Sequence, residues 1–146
     1  MSQSPLQETY SDEQIGSILR GSRTIALVGA SANPARPSYG VLEFLIRKGH
    51  RLFPINPGLA GQDLCGVRVY ARLADVPEPI DMVDVFRNSE AAADVVEEAL
   101  ALTPPPKTIW MQLGVGHAQA AERARARGVI VIQNRCPKIE YARLSL

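Results

Sequence analysis

Residues 24–31 have the sequence TIALVGAS, a continuous apolar run rich in branched side chains that ends at Gly29. A strand that is buried on both faces of a parallel sheet has this uninterrupted apolar pattern, whereas a half-exposed strand alternates apolar and polar residues. A glycine directly after such a strand permits the tight turn that leads into a helix. The stretch therefore predicts the first strand of a parallel α/β fold.

Helical and strand patterns alternate along the rest of the chain. Ser11 and the acidic residues after it predict a leading helix that ends near Gly21. Apolar residues at helical spacing run from Val41 to Ile46, and Gly49 ends that pattern. Further strands are predicted at residues 52–55, 82–86, 108–112 and 129–132, a short extra strand at 67–70, and helices at 90–102 and 118–127. This alternation predicts a Rossmann-like three-layer α/β/α sandwich with a mainly parallel sheet of five to six strands.

The composition fits one folded domain over residues 1–146. Hydrophobic residues make up 46% of the chain and charged residues 21%, which are values of a globular protein rather than of a disordered one. We expect residues 1–10 to be flexible. We also expect the residues after Glu140 to lie outside the main core.

Charge and residue usage exclude several classes of partner and site. The formal net charge is +1, so the chain lacks the broad basic surface that nucleic acid requires. No apolar run approaches the roughly 20 residues that span a bilayer, and the N-terminus lacks a leader, so we expect a cytoplasmic protein with no membrane partner. Cys65 and Cys136 are expected as free thiols. Together with His50 and His117 they share no ligand spacing, so no metal site is predicted.

The loop after the first strand is the candidate ligand site. In parallel α/β sheets, ligands bind at the carboxyl ends of the strands, and a phosphate meets the N-terminus of the first crossover helix. Gly29 would allow close backbone approach, and Arg36 would add a positive charge. Hydroxyls and amides that could face an anion come from Ser31, Ser38, Tyr39 and Gly40. Since every fold of this kind needs a glycine turn here, with or without a ligand, the loop alone does not identify one.

Two common nucleotide signatures are missing from the sequence. A dinucleotide site usually has the pattern Gly-x-Gly-x-x-Gly and an acidic residue about 20 positions further on. Here the second strand ends in Asn56-Pro57, which offers no carboxylate. The phosphate-loop pattern Gly-x-x-x-x-Gly-Lys-Ser/Thr is absent as well. The sequence therefore disfavours both dinucleotide binding and nucleoside triphosphate hydrolysis.

Six short motifs are spread over nearly the whole chain. They are IALVGAS at 25–31, RPSYGV at 36–41, FPINP at 53–57, DVFR at 84–87, WMQLG at 110–114 and RCPKIE at 135–140. In this order they resemble the stand-alone CoA-binding domain family, which is similar to the N-terminal domain of the succinyl-CoA synthetase α subunit. The resemblance implies that the chain binds coenzyme A (CoA) or an acyl-CoA as a non-catalytic binding, carrier or sensor protein.

The resemblance also implies a set of ligand contacts. The residues that would surround the CoA pyrophosphate are Gly29, Ala30, Ser31, Asn33, Arg36, Ser38 and Tyr39, with Gly40 at the helix start and Asn56 and Pro57 beside them. Phe86 and Arg87 would flank the adenosine part. Their alternative roles are a core side chain for Phe86 and a solvated surface charge for Arg87.

We assign a catalytic role to no group of residues in the sequence. In the synthetase a ligase domain follows the CoA domain, and because this chain ends at Leu146 we expect no ligase activity. His117 is either an acid or base near the ligand or, as we favour, a residue at a helix start. Cys136 is either a thiol that could form a mixed disulfide with CoA or, as we favour, a buried inert residue.

Two other functions remain open at this point. The same fold could serve an NAD(P)-binding oxidoreductase or redox sensor. Alternatively, the domain could act as a homo-oligomer or as a subunit beside a partner enzyme, with no working nucleotide site.

Overall fold

A five-stranded parallel sheet forms the centre of the molecule. The computed structural model describes residues 4–146. The strands of the sheet are β1 (Thr24–Val28), β2 (Arg51–Ile55), β5 (Met82–Val85), β6 (Thr108–Met111) and β7 (Ile130–Ile132), and a separate two-stranded hairpin contains β3 (Asp63–Leu64) and β4 (Val67–Arg68). The central sheet has the order β2-β1-β5-β6-β7, with every pair parallel. The predicted parallel α/β sandwich is confirmed, with five strands.

Five helices cover the two faces of this sheet. They are α1 (Asp12–Gly21), α2 (Pro37–Arg47), α3 (Ser89–Leu100), α4 (Ala118–Ala126) and α5 (Pro137–Arg143). Short 3-10 turns lie at Pro5–Gln7, Pro57–Leu59 and Leu73–Asp75. Within residues 4–146, none of the helices has the length and apolar content needed to cross a bilayer.

Alternate residues of each strand face opposite helical layers, which explains the continuous apolar runs in the sequence. In β1, Ile25 and Leu27 pack with the core formed under α1, α2 and α5, while Ala26 and Val28 pack with the core under α3 and α4. All four side chains are buried. Because both faces are covered, a polar side chain at either set of positions is unfavourable unless it has a hydrogen-bond partner.

The segment that follows β2 is a hairpin rather than the single strand predicted at 67–70. Leu64 pairs with Val67, and the two residues between them, Cys65 and Gly66, both have positive φ angles of 53° and 82°. These angles are those of a two-residue type I′ turn, which closes a hairpin with the correct twist. The prediction missed β3 because a two-residue strand leaves no recognisable periodicity.

Side-chain caps begin three of the helices at the residues that the sequence marks. The Ser11 hydroxyl accepts a hydrogen bond from the Gln14 amide at 3.1 Å. Asn88 Oδ1 accepts from the Ala91 amide at 2.7 Å. His117 Nδ1 accepts from the Ala120 amide at 3.1 Å, which confirms the favoured role of His117 at the start of α4.

Both ends of the described chain contact the sheet layer. The Glu8 carboxylate forms an ion pair with Arg125 at 2.7 Å, and the Tyr10 hydroxyl accepts from the Gln133 amide at 2.8 Å. Residues 1–3 of the segment expected to be flexible lie outside the described residues. At the other end, the expectation that residues after Glu140 lie outside the core is wrong for Tyr141, which is buried against Phe44 at a ring separation of 5.5 Å.

Candidate functional site

The carboxyl ends of β1, β2 and β5 converge on Gly29. The amides of Gly29 and Ala30 both donate to the Ile55 carbonyl at the end of β2, at 3.2 and 3.3 Å. On the other side of β1, the Phe86 amide donates to the Val28 carbonyl at 2.8 Å. The three loops that leave these strands are therefore held together by backbone hydrogen bonds.

Gly29 is required at the point where the loops meet. Its φ angle is +95°, a conformation that L side chains rarely adopt. A Cβ at this position would lie 2.2 Å from the Phe86 carbonyl oxygen, well inside contact distance. The close approach of the two backbones thus excludes every residue but glycine.

Asn56 ties the loop after β2 to the loop after β1. Its Nδ2 donates to the Ala30 carbonyl at 2.8 Å, and its Oδ1 accepts from the Gly58 amide at 2.8 Å. Both ends of the side chain are therefore engaged in shaping the loops. Its backbone is engaged as well, since the Asn56 amide donates to the Tyr70 carbonyl at 2.9 Å and its carbonyl accepts from the Leu59 amide at 3.1 Å.

Two polar residues of the loop after β1 fold the loop on itself. Ser31 Oγ accepts from the Asn33 amide at 3.1 Å, and Asn33 Oδ1 accepts from the Ala35 amide at 3.0 Å. The Arg36 amide then donates to the Asn33 carbonyl at 3.0 Å. These Asx- and Ser-type turns lead the chain directly into α2.

The start of α2 has no side-chain cap. Arg36 occupies the N-cap position without a side-chain hydrogen bond to the first turn, and Pro37 follows at the first helical position. The Arg36 side chain is exposed, and Ser38 is buried. Tyr39 lies beside Cys65, and the hydrogen bond that the Tyr39 hydroxyl donates to the Cys65 sulfur raises the pKa of the Tyr39 phenol. Pro37 has no N–H and the Tyr39 amide donates to the Arg36 carbonyl at 3.0 Å, so the Ser38 amide and the positive end of the helix are what favour an anion at this position.

A cavity of about 520 Å³ lies between the ends of β1 and β2 and helix α3; we call it the α3 cavity. Its charged side chains are Arg72, Arg87, Asp94 and Glu98. Both arginines are exposed at its edge, and Glu98 Oε1 accepts from the Leu73 amide at 3.4 Å. The cavity therefore combines cationic and acceptor groups around the loop backbone of Gly29 and Ala30.

A second cavity of about 720 Å³ lies between the N-termini of α2 and α5; we call it the α5 cavity. Most of its walls are apolar, formed by Pro34, Ala35, Pro37, Val41, Leu113, Val115, Cys136 and Ile139. Arg36 and Lys138 supply positive charge. Phe86 and Arg87 line both cavities, so the two spaces adjoin at the end of β5.

Two buried polar groups near the α5 cavity have no hydrogen-bond partner. Gln112, which follows β6 and lines the cavity, is 5% exposed, and its Oε1 is unpartnered. Asp84 is fully buried in β5 two residues before Phe86, and both of its carboxylate oxygens are unpartnered. Burial raises the pKa of Asp84 well above its usual range, which favours the neutral acid.

The structure divides the residues proposed from the sequence into three groups. Those that line the α3 cavity are Gly29, Ala30, Asn56, Pro57, Phe86 and Arg87. Those that line the α5 cavity are Arg36, Gly40, Phe86 and Arg87. Ser31, Asn33, Ser38 and Tyr39 line neither cavity. Phe86 is half-buried, so it is both a partial core residue and a wall of the site.

Several lining residues were not among the sequence-derived contacts. Arg72, Asp94 and Glu98 enter the α3 cavity, and Gln112, Leu113 and Ile139 enter the α5 cavity. Gln112 and Leu113 directly follow β6, so the rule that sites form at carboxyl ends of strands could have identified them. The residues from α3 carry no comparable signal, because they lie on an ordinary amphipathic helix.

Comparisons with known proteins identify the family and the fold of the chain. A family model described as a CoA binding domain matches residues 23–142. An uncharacterized protein of Bacillus subtilis, YneT, is 34% identical over 132 residues, which cover 90% of this chain and 95% of that protein. A solved structure from Thermus thermophilus superimposes with a TM-score of 0.86 at 36% identity, over 92% of this chain and 99% of the other.

A relative of lower sequence identity is named as part of an enzyme. The α subunit of acetate–CoA ligase (ADP-forming) I from Pyrococcus furiosus is 26% identical over 80 residues. The aligned region covers 52% of this chain and 17% of that subunit. The similarity thus concerns one part of a much longer protein.

Proposed function

Because the chain belongs to the CoA-binding domain family, we propose that it binds coenzyme A or an acyl-CoA across the α3 and α5 cavities. We further propose that it acts as a binding, carrier or sensor protein without chemistry of its own. The main support is the junction at Gly29 and Phe86. There, two cavities of different polarity adjoin beside an uncapped helix N-terminus.

The chemistry of CoA suits this division of the site. The molecule has a nucleotide end with phosphates, a central pyrophosphate, and a less polar pantetheine arm that ends in a thiol. The α3 cavity, with Arg72 and Arg87, would take the adenosine and its phosphate. The α5 cavity, with its apolar walls, would take the pantetheine arm.

The pyrophosphate would lie between the two cavities. In this proposal the loop backbone of Gly29 and Ala30 approaches it, and Arg36, the Ser38 amide and the positive end of α2 face it. Ser31, Asn33 and Asn56 contribute by shaping the loops, since their side chains are engaged in hydrogen bonds there. Ser38, Tyr39 and Gly40 contribute as members of the first turn of α2.

A calorimetric titration tests this proposal directly. The full-length chain is titrated with CoA, 3′,5′-ADP, pantetheine, NAD and NADP under identical salt conditions. We expect CoA to bind more tightly than either 3′,5′-ADP or pantetheine, because it alone occupies both cavities. Absence of CoA binding at millimolar concentration would overturn the proposal, and tighter binding of NAD or NADP would favour the oxidoreductase or redox-sensor alternative.

A further inference from the structure

We propose that the α5 cavity selects acyl-CoA molecules with an apolar acyl chain over free CoA. This inference rests on the proposed CoA-binding function. It adds to that function the class of acyl group, which is argued from the cavity rim, an unpartnered amide oxygen and the placement of the nearby charges.

The rim of the α5 cavity is unusually apolar for a surface. Leu113 and Ile139 are 56% and 50% exposed, the highest values among the large apolar side chains of residues 4–146. They come from different elements, the loop after β6 and helix α5, yet both line this cavity. A single exposed apolar side chain is ordinary on a protein surface. Two of them at the mouth of one cavity, Leu113 and Ile139, form an apolar patch that a ligand can cover.

One residue in the wall of the α5 cavity, Gln112, has an unpartnered hydrogen-bond acceptor. Gln112 Oε1 has no partner, although the residue is 5% exposed. A buried acceptor without a partner is unfavourable, so in this proposal the Gln112 side chain rotates and its oxygen accepts from an N–H group of the ligand. The pantetheine arm contains two secondary amides, and apart from them it offers largely apolar surface to the walls at Val41, Val115 and Cys136.

The charges near the rim favour an apolar acyl group over an anionic one. The Lys138 ammonium lies over the Phe44 ring, 5.9 Å from its centroid, and Phe44 is not part of the cavity wall. In the proposed function, Arg36 is assigned to the pyrophosphate, and Arg87, the remaining cation of the cavity wall, is assigned to the adenosine phosphate. An acyl chain beyond the thioester would therefore meet Leu113 and Ile139 rather than a free cation.

Titration of an acyl series measures this selectivity. The ligands are CoA and its acetyl, butanoyl, hexanoyl, octanoyl and succinyl thioesters. Complete burial of one methylene group would tighten binding roughly fourfold. Because the rim leaves part of the chain in water, we expect each methylene group to be about half buried and to tighten binding about twofold. Octanoyl-CoA should bind at least about tenfold more tightly than acetyl-CoA, and succinyl-CoA should not exceed butanoyl-CoA.

A rim variant and a matched control identify the cause of the chain-length dependence. In the Leu113→Ser/Ile139→Ser double variant, the affinity ratio of octanoyl-CoA to CoA should fall close to one. Ile130→Ser changes an apolar side chain of similar exposure, 41%, at the opposite end of the sheet and should keep the wild-type ratio.

The outcomes separate the two proposals. If CoA itself does not bind, the proposed function fails. If CoA binds but the acyl series is flat in the wild type, or remains steep in the double variant, the acyl selectivity is overturned. The acyl selectivity is also overturned if succinyl-CoA binds most tightly. If the series is flat and light scattering shows that the rim substitutions dissociate an oligomer, the rim is instead an interface between copies of the chain.

Discussion

Gly29 and Phe86 approach each other so closely that a Cβ on residue 29 would lie 2.2 Å from the Phe86 carbonyl oxygen. The contact joins the ends of β1 and β5, which are neighbours in the sheet. Because the obstacle is backbone rather than a flexible side chain, it cannot move aside without separating the two strands. The contact also sets the boundary between the α3 and α5 cavities.

Replacing Gly29 with alanine should therefore destabilise the protein by about 3 kcal/mol or more, since strain at positive φ and a backbone clash add together. Gly49 is the matched control, because it has the same φ of +95° but open space around its Cβ position. Gly49→Ala should cost only about 1–2 kcal/mol. Urea unfolding of both variants measures the difference, and equal losses would show that the Phe86 contact is unimportant.

Removing the positive charge before α2 should weaken CoA binding. In Arg36→Ala we expect a loss of roughly tenfold or more, as is typical for a hydrogen bond to a charged group, and a weaker dependence of affinity on salt. Arg47→Ala, an exposed position at the other end of the same helix, should leave the affinity unchanged. Titrations at two salt concentrations test this prediction, and an unchanged affinity in Arg36→Ala would contradict the assigned anion position.

The buried Asp84 should make the protein less stable as the pH rises. Its folded-state pKa is raised, so the folded state binds more protons than the unfolded state, and the free energy of unfolding falls above the unfolded pKa of about 4. Asp84→Asn should remove this slope and give a variant that is more stable than wild type at pH 8 but not at pH 3.

Urea unfolding at several pH values measures this effect. Asp63→Asn, the same substitution at an exposed strand position, serves as the control and should preserve the wild-type slope. If Asp84→Asn instead lowers stability equally at every pH, the pKa of Asp84 is not raised in the folded state and the prediction fails.

Glu8 should stabilise the protein at neutral pH and lose this effect in acid, which is the reverse of the effect of Asp84. Hydrogen bonding to Arg125 lowers the pKa of Glu8 to about 2, so its contribution is present above about pH 4.5 and is lost as the pH falls towards 2. Because both side chains are partly exposed, we expect Glu8→Gln to cost only about 1 kcal/mol at pH 7 and nothing near pH 2.

Amide hydrogen exchange over residues 4–10 gives a second measure of this contact. We expect faster exchange in Glu8→Gln than in the wild type. Glu97→Gln removes a more exposed ion pair, with Arg123, and should change neither exchange in this segment nor the low-pH profile. Identical exchange in the wild type and Glu8→Gln would mean that the ion pair does not hold the N-terminal segment.

The sequence by itself determined the five strands of the central sheet and the helices α1 to α4. Continuous apolar runs occur where a strand is covered on both faces, and glycine follows β1 because the backbones approach there. Ser11 and Asn88 begin helices because their side chains can accept hydrogen bonds from amides only three residues away. Helix capping is a local effect and the spacing of apolar residues is a local pattern, so local sequence carries both. The family motifs add a ligand class by resemblance.

Only the tertiary structure decided how the site is divided. Strand order brings the loops after β1, β2 and β5 together, and no periodicity reports which strands are neighbours. Asn56 and Ala30 are 26 positions apart, yet their hydrogen bond shapes the loops and occupies the side chain that the sequence suggested for a ligand. The apolar α5 cavity likewise combines Leu113 and Ile139 from distant elements. Contacts between distant residues depend on packing of the whole chain, and this is why they had to be seen in three dimensions.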